Sequence, residues 1–403
     1  MTIGIFTDTF FPQICGVDTM VRTLAEGLRG LGHRVVIFTT TDPGCKQRMH
    51  DVYRLPSVPF VFLPSRRVAF MIPPKLLARM KSFGLDIVHT QTEFSIGIFG
   101  KITAGLLHIP HLHTYHTVYE DYTHYLAGGR LFKPGMARAM SRMFCNGADV
   151  VSTPTDKVRD MLLSYGVTKP IHAIPTGIKF NQFRRGQYSD AEIAEARAEL
   201  GLKPEELALI TIGRVAKEKS MDVVIKALPE LLRSVPNLKY VSVGDGPYRD
   251  ELITLAESLG VADSVIFAGP RRWEDIGKYY QAGDLFVSAS TTETQGIVYV
   301  EAMAAQVPLI VRRDRSVEDI LIDGKTGLFF DDEHELARRA EELLLDKQER
   351  DRLAAGAWEH VQSLSAEIFV ERMLALYTAM IKNPTRKEKF LAKIKNKLKW
   401  PGH

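Results

Sequence analysis

Cysteine is scarce: Cys15, Cys45 and Cys145 are the only three in 403 residues, and they are widely scattered. They form no CxxC pair for a metal or redox site, and a set this sparse suits a reducing compartment. Long apolar runs are missing too. Nothing approaches the roughly 18 residues that a spanning helix needs, and the first ten residues carry Asp8 and no basic leader. A cytoplasmic protein is therefore expected, neither secreted nor transmembrane. At 45% hydrophobic and 25% charged, the chain has a globular composition, which excludes a disordered or disulfide-stapled class. Its length predicts two or three domains.

Acidic residues are unevenly absent. The net charge is +4, yet between Lys382 and Lys399 eight Lys/Arg face the single acid Glu388, so the rest of the chain is net negative. A cationic stripe across the folded body, as nucleic-acid binding requires, is not expected. Two further islands lack acid altogether. Residues 52–85 hold Arg54, Arg66, Arg67, Lys75, Arg79 and Lys81 among Phe60, Phe62, Phe70 and Met71, and residues 125–148 hold Arg130, Lys133, Arg138 and Arg142. Cations mixed with aromatic and aliphatic groups suit an interfacial membrane contact, where each basic residue near an anionic leaflet contributes about 1 kcal/mol. A solvated face packed on its own domain is the competing reading for any one island; three islands favour the membrane. The candidate membrane and acceptor residues are Arg66, Arg67, Phe70, Lys75, Arg79 and Lys81, on a protein held peripherally at the inner face of the cell membrane.

The first forty residues read as a βαβ unit. An apolar run at 3–7 precedes Gly16, then Val17, Met20, Val21, Leu24, Leu28 and Leu31 at helical spacing, then a second run at 35–39. Further strands are expected at 87–90, 111–115, 150–154 and 172–175. After a polar stretch at 181–189 the alternation restarts at 207–212 and continues at 240–243, 265–268, 285–288 and 309–311. This predicts an α/β protein with two doubly wound, Rossmann-like domains and a site in the cleft between the carboxyl ends of their sheets. The expected division is 1–178, 179–365, and a closing helix with a basic tail at 366–403. In that tail Phe390, Leu391, Ile394, Leu398 and Trp400 fall on one apolar stripe.

Glycine turns directly after predicted strands are the candidate phosphate cradles. Gly16 follows the first strand. Gly213-Arg214 ends the strand at 207–212, and Lys219 follows just before a helix starting near Met221, placing two cations where a diphosphate would lie. Gly244 follows the next strand, with a simple tight turn as its equal alternative. Glu293-Thr294-Gln295-Gly296-Ile297 follows the strand at 285–288 and enters a helix carrying Glu301. There, backbone amides near Gly296 are placed to meet phosphate, with Glu293 and Glu301 placed to accept sugar hydroxyls. Loop shape around Pro270, Arg271 and Gln295 is expected to read the base and sugar. Two patterns are set aside: Gly324-Lys325-Thr326 lacks the glycine of a nucleoside-triphosphate loop at Asp319, and His111, His113, His116 and His124 have no zinc framework around them. No metal and no cofactor are expected. His116, at the end of a strand, reads as a site residue.

Together these residues resemble the family 4 retaining glycosyltransferases of GT-B fold, whose mark is a Glu-x7-Glu motif, here Glu293 to Glu301. The resemblance spans essentially the whole chain. It implies that Arg214 and Lys219 hold the donor diphosphate, that Gly16 approaches it from the other domain, and that Glu301 binds the ribose. It further implies that Glu293 and the backbone of Gln295 to Ile297 hold the sugar, and that His116 lies near that sugar. The last helix is implied to cross back onto the first domain. The strings 7–13, 89–95, 113–122 and 292–296 are similar to those of bacterial diacylglycerol glucosyltransferases. Gln295 fits that subgroup where many members carry an aromatic residue, whereas the single Gly16 departs from the common pair of glycines. The implied activity is metal-independent transfer of glucose from UDP-glucose to the 3-hydroxyl of 1,2-diacylglycerol with retention, on an anionic membrane surface. Another lipid or soluble acceptor, addition of a second sugar, and a silent nucleotide-sugar-binding scaffold are the alternatives. Oligomeric state is not legible.

Overall fold

The structure is a computed structural model that describes residues 1–12, 16–45, 49–60, 63–120 and 133–382. Cys15, Phe62, His124, Arg130 and the basic segment after Lys382 lie outside the described residues. The chain divides into two compact units. One comprises Met1–Gly177 with the segment from Ala366, and the other is Ile178–Ser365.

The first unit is built on a seven-stranded parallel sheet. In space its strands run Val52–Leu55, Arg34–Thr40, Thr2–Phe6, Ile87–Thr90, His111–Thr114, Val150–Thr153 and Ile171–Ala173. Runs such as Ile3, Ile5, Phe6 and Val35 to Phe38 are buried without alternation, as expected for strands covered on both faces. Strand order reverses between Thr2–Phe6 and Ile87–Thr90, and ligands of open α/β sheets bind at the carboxyl side of such a switch point.

Helix Gly16–Gly30 covers one face through Met20, Val21, Leu24 and Leu28, and the same cluster takes in Phe369, Val370, Met373 and Tyr377 of helix Ala366–Lys382. Gly27 makes that approach possible, because a Cβ there would overlap the Val370 methyls. Valine is stiff at χ1 and yields little. Gly27→Ala is therefore expected to destabilise the protein by about 1–3 kcal/mol in chemical denaturation, with Val370→Ala in the same chain recovering part of the loss. Additive losses from the two changes would show that these helices do not press together here. The closing helix is also tied to the sheet by a polar contact: Tyr377 Oη lies 2.7 Å from His89 Nδ1, and His89 Nε2 lies 2.6 Å from Thr114 Oγ1.

The island at 52–85 has more structure than its composition suggests. It forms the edge strand Val52–Leu55, the antiparallel strands Ser57–Phe60 and Leu63–Ala69, and the short helix Pro74–Arg79. Pro59 and Pro64 interrupt the apolar alternation in this stretch, and proline in a run argues against a strand unless it lies at an edge. That is why the pair was not readable. Arg67 is engaged within it, donating from Nε to Ser57 Oγ at 3.0 Å and from Nη2 to Ser57 O at 2.6 Å. Its guanidinium braces the two strands. Phe70, Lys75, Arg79 and Lys81 are exposed, and Arg66 is half-buried.

The second unit holds six parallel strands in the spatial order Val265–Gly269, Leu238–Val243, Leu207–Ile212, Leu285–Ser288, Leu309–Arg312 and Leu328–Phe330. Order reverses between Leu207–Ile212 and Leu285–Ser288, paired at Leu209↔Leu285 and Ile210↔Phe286. The turns leaving these two strands carry Arg214 to Lys219 and Glu293 to Gly296, so the switch point gathers residues such as Lys219 and Glu293, 74 positions apart in the sequence. Gly324-Lys325-Thr326 is a turn, with Gly324 in the left-handed region and its amide donating to Gly327 O at 2.9 Å.

Candidate active site

In the second unit the site is assembled from two loops. After the strand Leu207–Ile212, Gly213 takes φ 147°, and a Cβ there would meet nothing within 4 Å. The conformation calls for glycine while the space beside it is open. Gly244 differs: a Cβ there would run into the carbonyl of Gly213, and its amide donates to Gly269 O at 3.0 Å. Close packing of backbone on backbone and a φ of 144° account for glycine at position 244, which bridges to Gly269.

The turn Lys217–Lys219 is held against the neighbouring loop by Thr292 Oγ1, which donates to Glu218 O at 3.3 Å. Lys219 Nζ then reaches Glu293 Oε1 at 2.6 Å, with about a quarter of the lysine side chain exposed. Ion pairs with this much water contact contribute only about 0–1 kcal/mol to folding. The consequence of the contact is positional: a cation and an anion stand fixed at the mouth of the switch point. Arg214 lies farther out, its Nη1 3.9 Å from Glu218 Oε1, with its side chain nearly half exposed.

Gly296 caps helix Ile297–Ala304 at φ 75°, and a Cβ there would strike the ring of buried Tyr299. Tyr299 is held in turn by Ser288, Oγ to Oη 3.1 Å. Gln295 is buried, whereas Thr294 and Ile297 are half-buried beside the helix start. Glu301 lies one turn inside the helix and accepts from Tyr280 Oη at 2.6 Å. Burial raises its pKa to about 7 against the pull of that hydrogen bond. Arg271 is engaged at the end of its own strand. Its guanidinium donates to Ala268 O at 2.6 Å and Glu199 O at 3.2 Å and stacks over Tyr279, closing the end of its own strand. These contacts fix the Arg271 side chain within the loop that the sequence assigns to base and sugar reading. Pro270 is exposed next to it.

The first unit has its own polar cluster at its switch point. Gln91, Thr92 and Glu93 leave the strand Ile87–Thr90 and are buried. His116 Nε2 donates to Gln91 Oε1 at 2.8 Å, while Glu93 accepts from Tyr119 and lies 3.1 Å from His113 Nε2. Two side-chain contacts, from His116 and Tyr119, thus fasten the loop bearing His116 to the end of the sheet. Burial, with His113 adding to it, pushes the His116 pKa down to about 3, so the imidazole is neutral at physiological pH. Asp8 caps helix Ser95–Leu107, accepting from Thr92 Oγ1 and Ser95 Oγ at 2.5 Å each and from the Ile96 amide at 3.0 Å. Gly16 is exposed at the first position of its helix.

Asp8, Gln91, Glu93 and Tyr119 received no role from sequence, although all four lie in the strings quoted for the resemblance. The available signal was the position of a polar run immediately after a strand. His111 and His113 turn toward Thr90 and Glu93 along the sheet, and no group of three His, Cys, Asp or Glu suited to a metal occurs among the described residues.

Two family profiles match consecutive stretches of the chain. The family profile "Glycosyltransferase Family 4" matches residues 14–182, and "Glycosyl transferases group 1" matches residues 192–360. An alpha-monoglucosyldiacylglycerol synthase of Streptococcus pneumoniae is 40% identical over 391 residues, covering 96% of this chain and 88% of that protein. A second protein of that name, from Acholeplasma laidlawii, is 32% identical over 395 residues, covering 96% and 99%. Among solved structures, Anabaena HepE in complex with UDP and glucose superposes with a TM-score of 0.76 at 19% identity, covering 94% of this chain and all of that one.

Proposed function

The chain belongs to the family 4 glycosyltransferases of GT-B fold, and from that premise we propose that it moves glucose from UDP-glucose to the 3-hydroxyl of 1,2-diacylglycerol with retention, making an α-linked glucolipid. One observation carries the donor half: Lys219 and Glu293, drawn from the two strands at the switch point, meet beside the open Gly213 turn and the Gly296 helix start. The acceptor half is supported by two relatives whose names specify monoglucosyldiacylglycerol synthesis.

The chemical demand is on the leaving group. As the glycosidic bond breaks, negative charge gathers on the diphosphate, and Lys219, Arg214 and the amides at the start of helix Ile297–Ala304 are fixed donors and cations for that charge. Glu293 accepts hydroxyls of the sugar, and Glu301 those of the ribose. The new bond forms between the lipid hydroxyl oxygen and the anomeric carbon on the face the leaving group vacates, and the hydroxyl proton passes to the departing phosphate oxygen. No helix among the described residues is long and apolar enough to cross a membrane. The proposed attachment is peripheral, through exposed Phe70, Lys75, Arg79 and Lys81.

The test is UDP release from UDP-glucose in anionic mixed micelles with and without diacylglycerol, with the product identified. Release that requires diacylglycerol and yields a glucolipid supports the reading; release indifferent to it removes the acceptor.

Glu301 adds a pH signature. Only the ionised carboxylate accepts from two ribose hydroxyls, and its pKa is raised to about 7 in the free protein. UDP affinity is therefore expected to be constant above that value and to fall about tenfold per unit below it, in calorimetric titrations across the range. Tyr280→Phe removes the hydroxyl that stabilises the anion and is expected to move the midpoint upward. A flat profile in the unmodified protein would take Glu301 out of the ribose contact.

A further inference from the structure

Helix Ser95–Leu107 is apolar on both faces. Ile96, Phe99 and Ala104 pack inward, while Phe94, just before it, and Ile98, Ile102 and Leu106 stand in solvent, each about 40–60% exposed. A surface helix ordinarily turns charged and polar residues outward, and contiguous exposed apolar surface marks a place where something binds. The arc is extended on both sides. Ser95 Oγ accepts from the Ala69 amide at 2.9 Å, bringing Phe70 to one flank. On the other flank Lys101 Nζ lies 5.5 Å from the Phe144 ring centroid, beside Met143, which is 70% exposed.

We propose that the outer face of helix Ser95–Leu107 is the surface that seats in an anionic lipid bilayer, an inference that rests on the reading of the acceptor as a membrane lipid. Charge selects this occupant. The helix has Lys101 as its single charge, helix Pro134–Cys145 beside it holds Arg138 and Arg142 and no acid, and residues 52–85 add exposed Lys75, Arg79 and Lys81 and no acid. Arg138 is partly neutralised by Glu120, 3.0 Å away. A second copy of this face would bring cations against cations, and so would the chain's own closing segment, with its eight Lys/Arg and one Glu. A leaflet of anionic lipid matches both features, with headgroups for the basic flanks and acyl chains for the stripe between them. The basic residues draw the protein to the surface, and the stripe sets its depth.

The experiment uses the full chain and vesicles of phosphatidylglycerol and phosphatidylcholine, with or without bromine on the acyl chains. In Ile102→Trp, fluorescence in excess of the three native tryptophans is expected to shift to the blue and to be quenched by brominated chains. In the triple variant Ile98→Ser/Ile102→Ser/Leu106→Ser, vesicle affinity at about 0.5 M salt, where screening shortens to roughly 4 Å, is expected to fall about a hundredfold. UDP affinity without vesicles should stay unchanged, which also certifies the fold. If the variant loses UDP binding, the quenching result alone decides. Unquenched fluorescence from Ile102→Trp while the unmodified protein cosediments overturns this proposal and leaves the membrane reading standing. Failure of the unmodified protein to cosediment overturns both. Concentration-dependent dimers that the triple variant abolishes would assign the face to a second copy and overturn it as well.

Discussion

Lys219→Met is expected to lower turnover by about 10²–10³-fold while the melting temperature barely moves. The two halves of that expectation have one cause. Lys219 Nζ sits 2.6 Å from Glu293 Oε1 with water still reaching it, so the pair adds little to folding, yet its ammonium is fixed before any substrate arrives. Methionine keeps the stem and its packing and removes only the charge. A preorganised cation matters most where charge develops, so the loss should fall on kcat more than on KM for the donor. Arg214 is more exposed and less tightly held, and Arg214→Ala should show the same direction with a smaller loss of kcat. Near-normal turnover in both variants would move leaving-group stabilisation to the helix start alone.

Gly296→Ala is the second large effect. The position is in the left-handed region at φ 75°, which costs an L side chain about 1–2 kcal/mol, and the added methyl meets the Tyr299 ring. Tyr299 is fully buried and held by Ser288, so the ring does not yield readily, and the start of helix Ile297–Ala304 must shift instead. Its amides then miss the phosphate oxygens they are placed for. Donor affinity is expected to fall by at least about a hundredfold, the product of a misplaced helix end and a displaced Glu293. Tyr299→Ala in the same chain makes room for the methyl but removes a fully buried ring, so it should return neither stability nor affinity, since the strained backbone remains. Recovery of both would show that the clash, and not the backbone conformation, controls the site.

Much of this architecture could be read in advance from apolar runs. The strands Ile87–Thr90, Leu207–Ile212 and Leu285–Ser288 begin and end where the sequence places them, because a strand buried on both faces leaves an uninterrupted apolar signature closed by a polar turn. Glycine was less uniform as a guide. Gly213 and Gly296 stand at the site, whereas Gly244 is required by its neighbour's carbonyl, and only coordinates separate an open turn from a crowded one. Charge was the least legible property. Arg67 reads in the sequence as a lipid contact and Arg271 as part of a loop that reads base and sugar, and in the structure both donate to backbone carbonyls nearby. Whether a guanidinium faces outward depends on which carbonyls the fold leaves unpaired around it, and that is not written in local composition. The Lys219–Glu293 contact depended equally on topology, since it exists because two strands distant in sequence are neighbours at the reversal of the sheet.

The first unit is discontinuous in the chain. Helix Ala366–Lys382 completes the cluster around Met20, Leu24 and Leu28, but it leaves the ribosome only after all of Ile178–Ser365 has been made. At typical rates of about 5–20 residues per second, the sheet formed by the first 177 residues waits on the order of 10–40 s for its cover. Over that interval the second unit, continuous in sequence, has everything it needs to fold. The order of maturation is thus the reverse of the order of synthesis: the half translated second is finished first, and the half translated first spends its nascent life with an apolar flank open to chaperones.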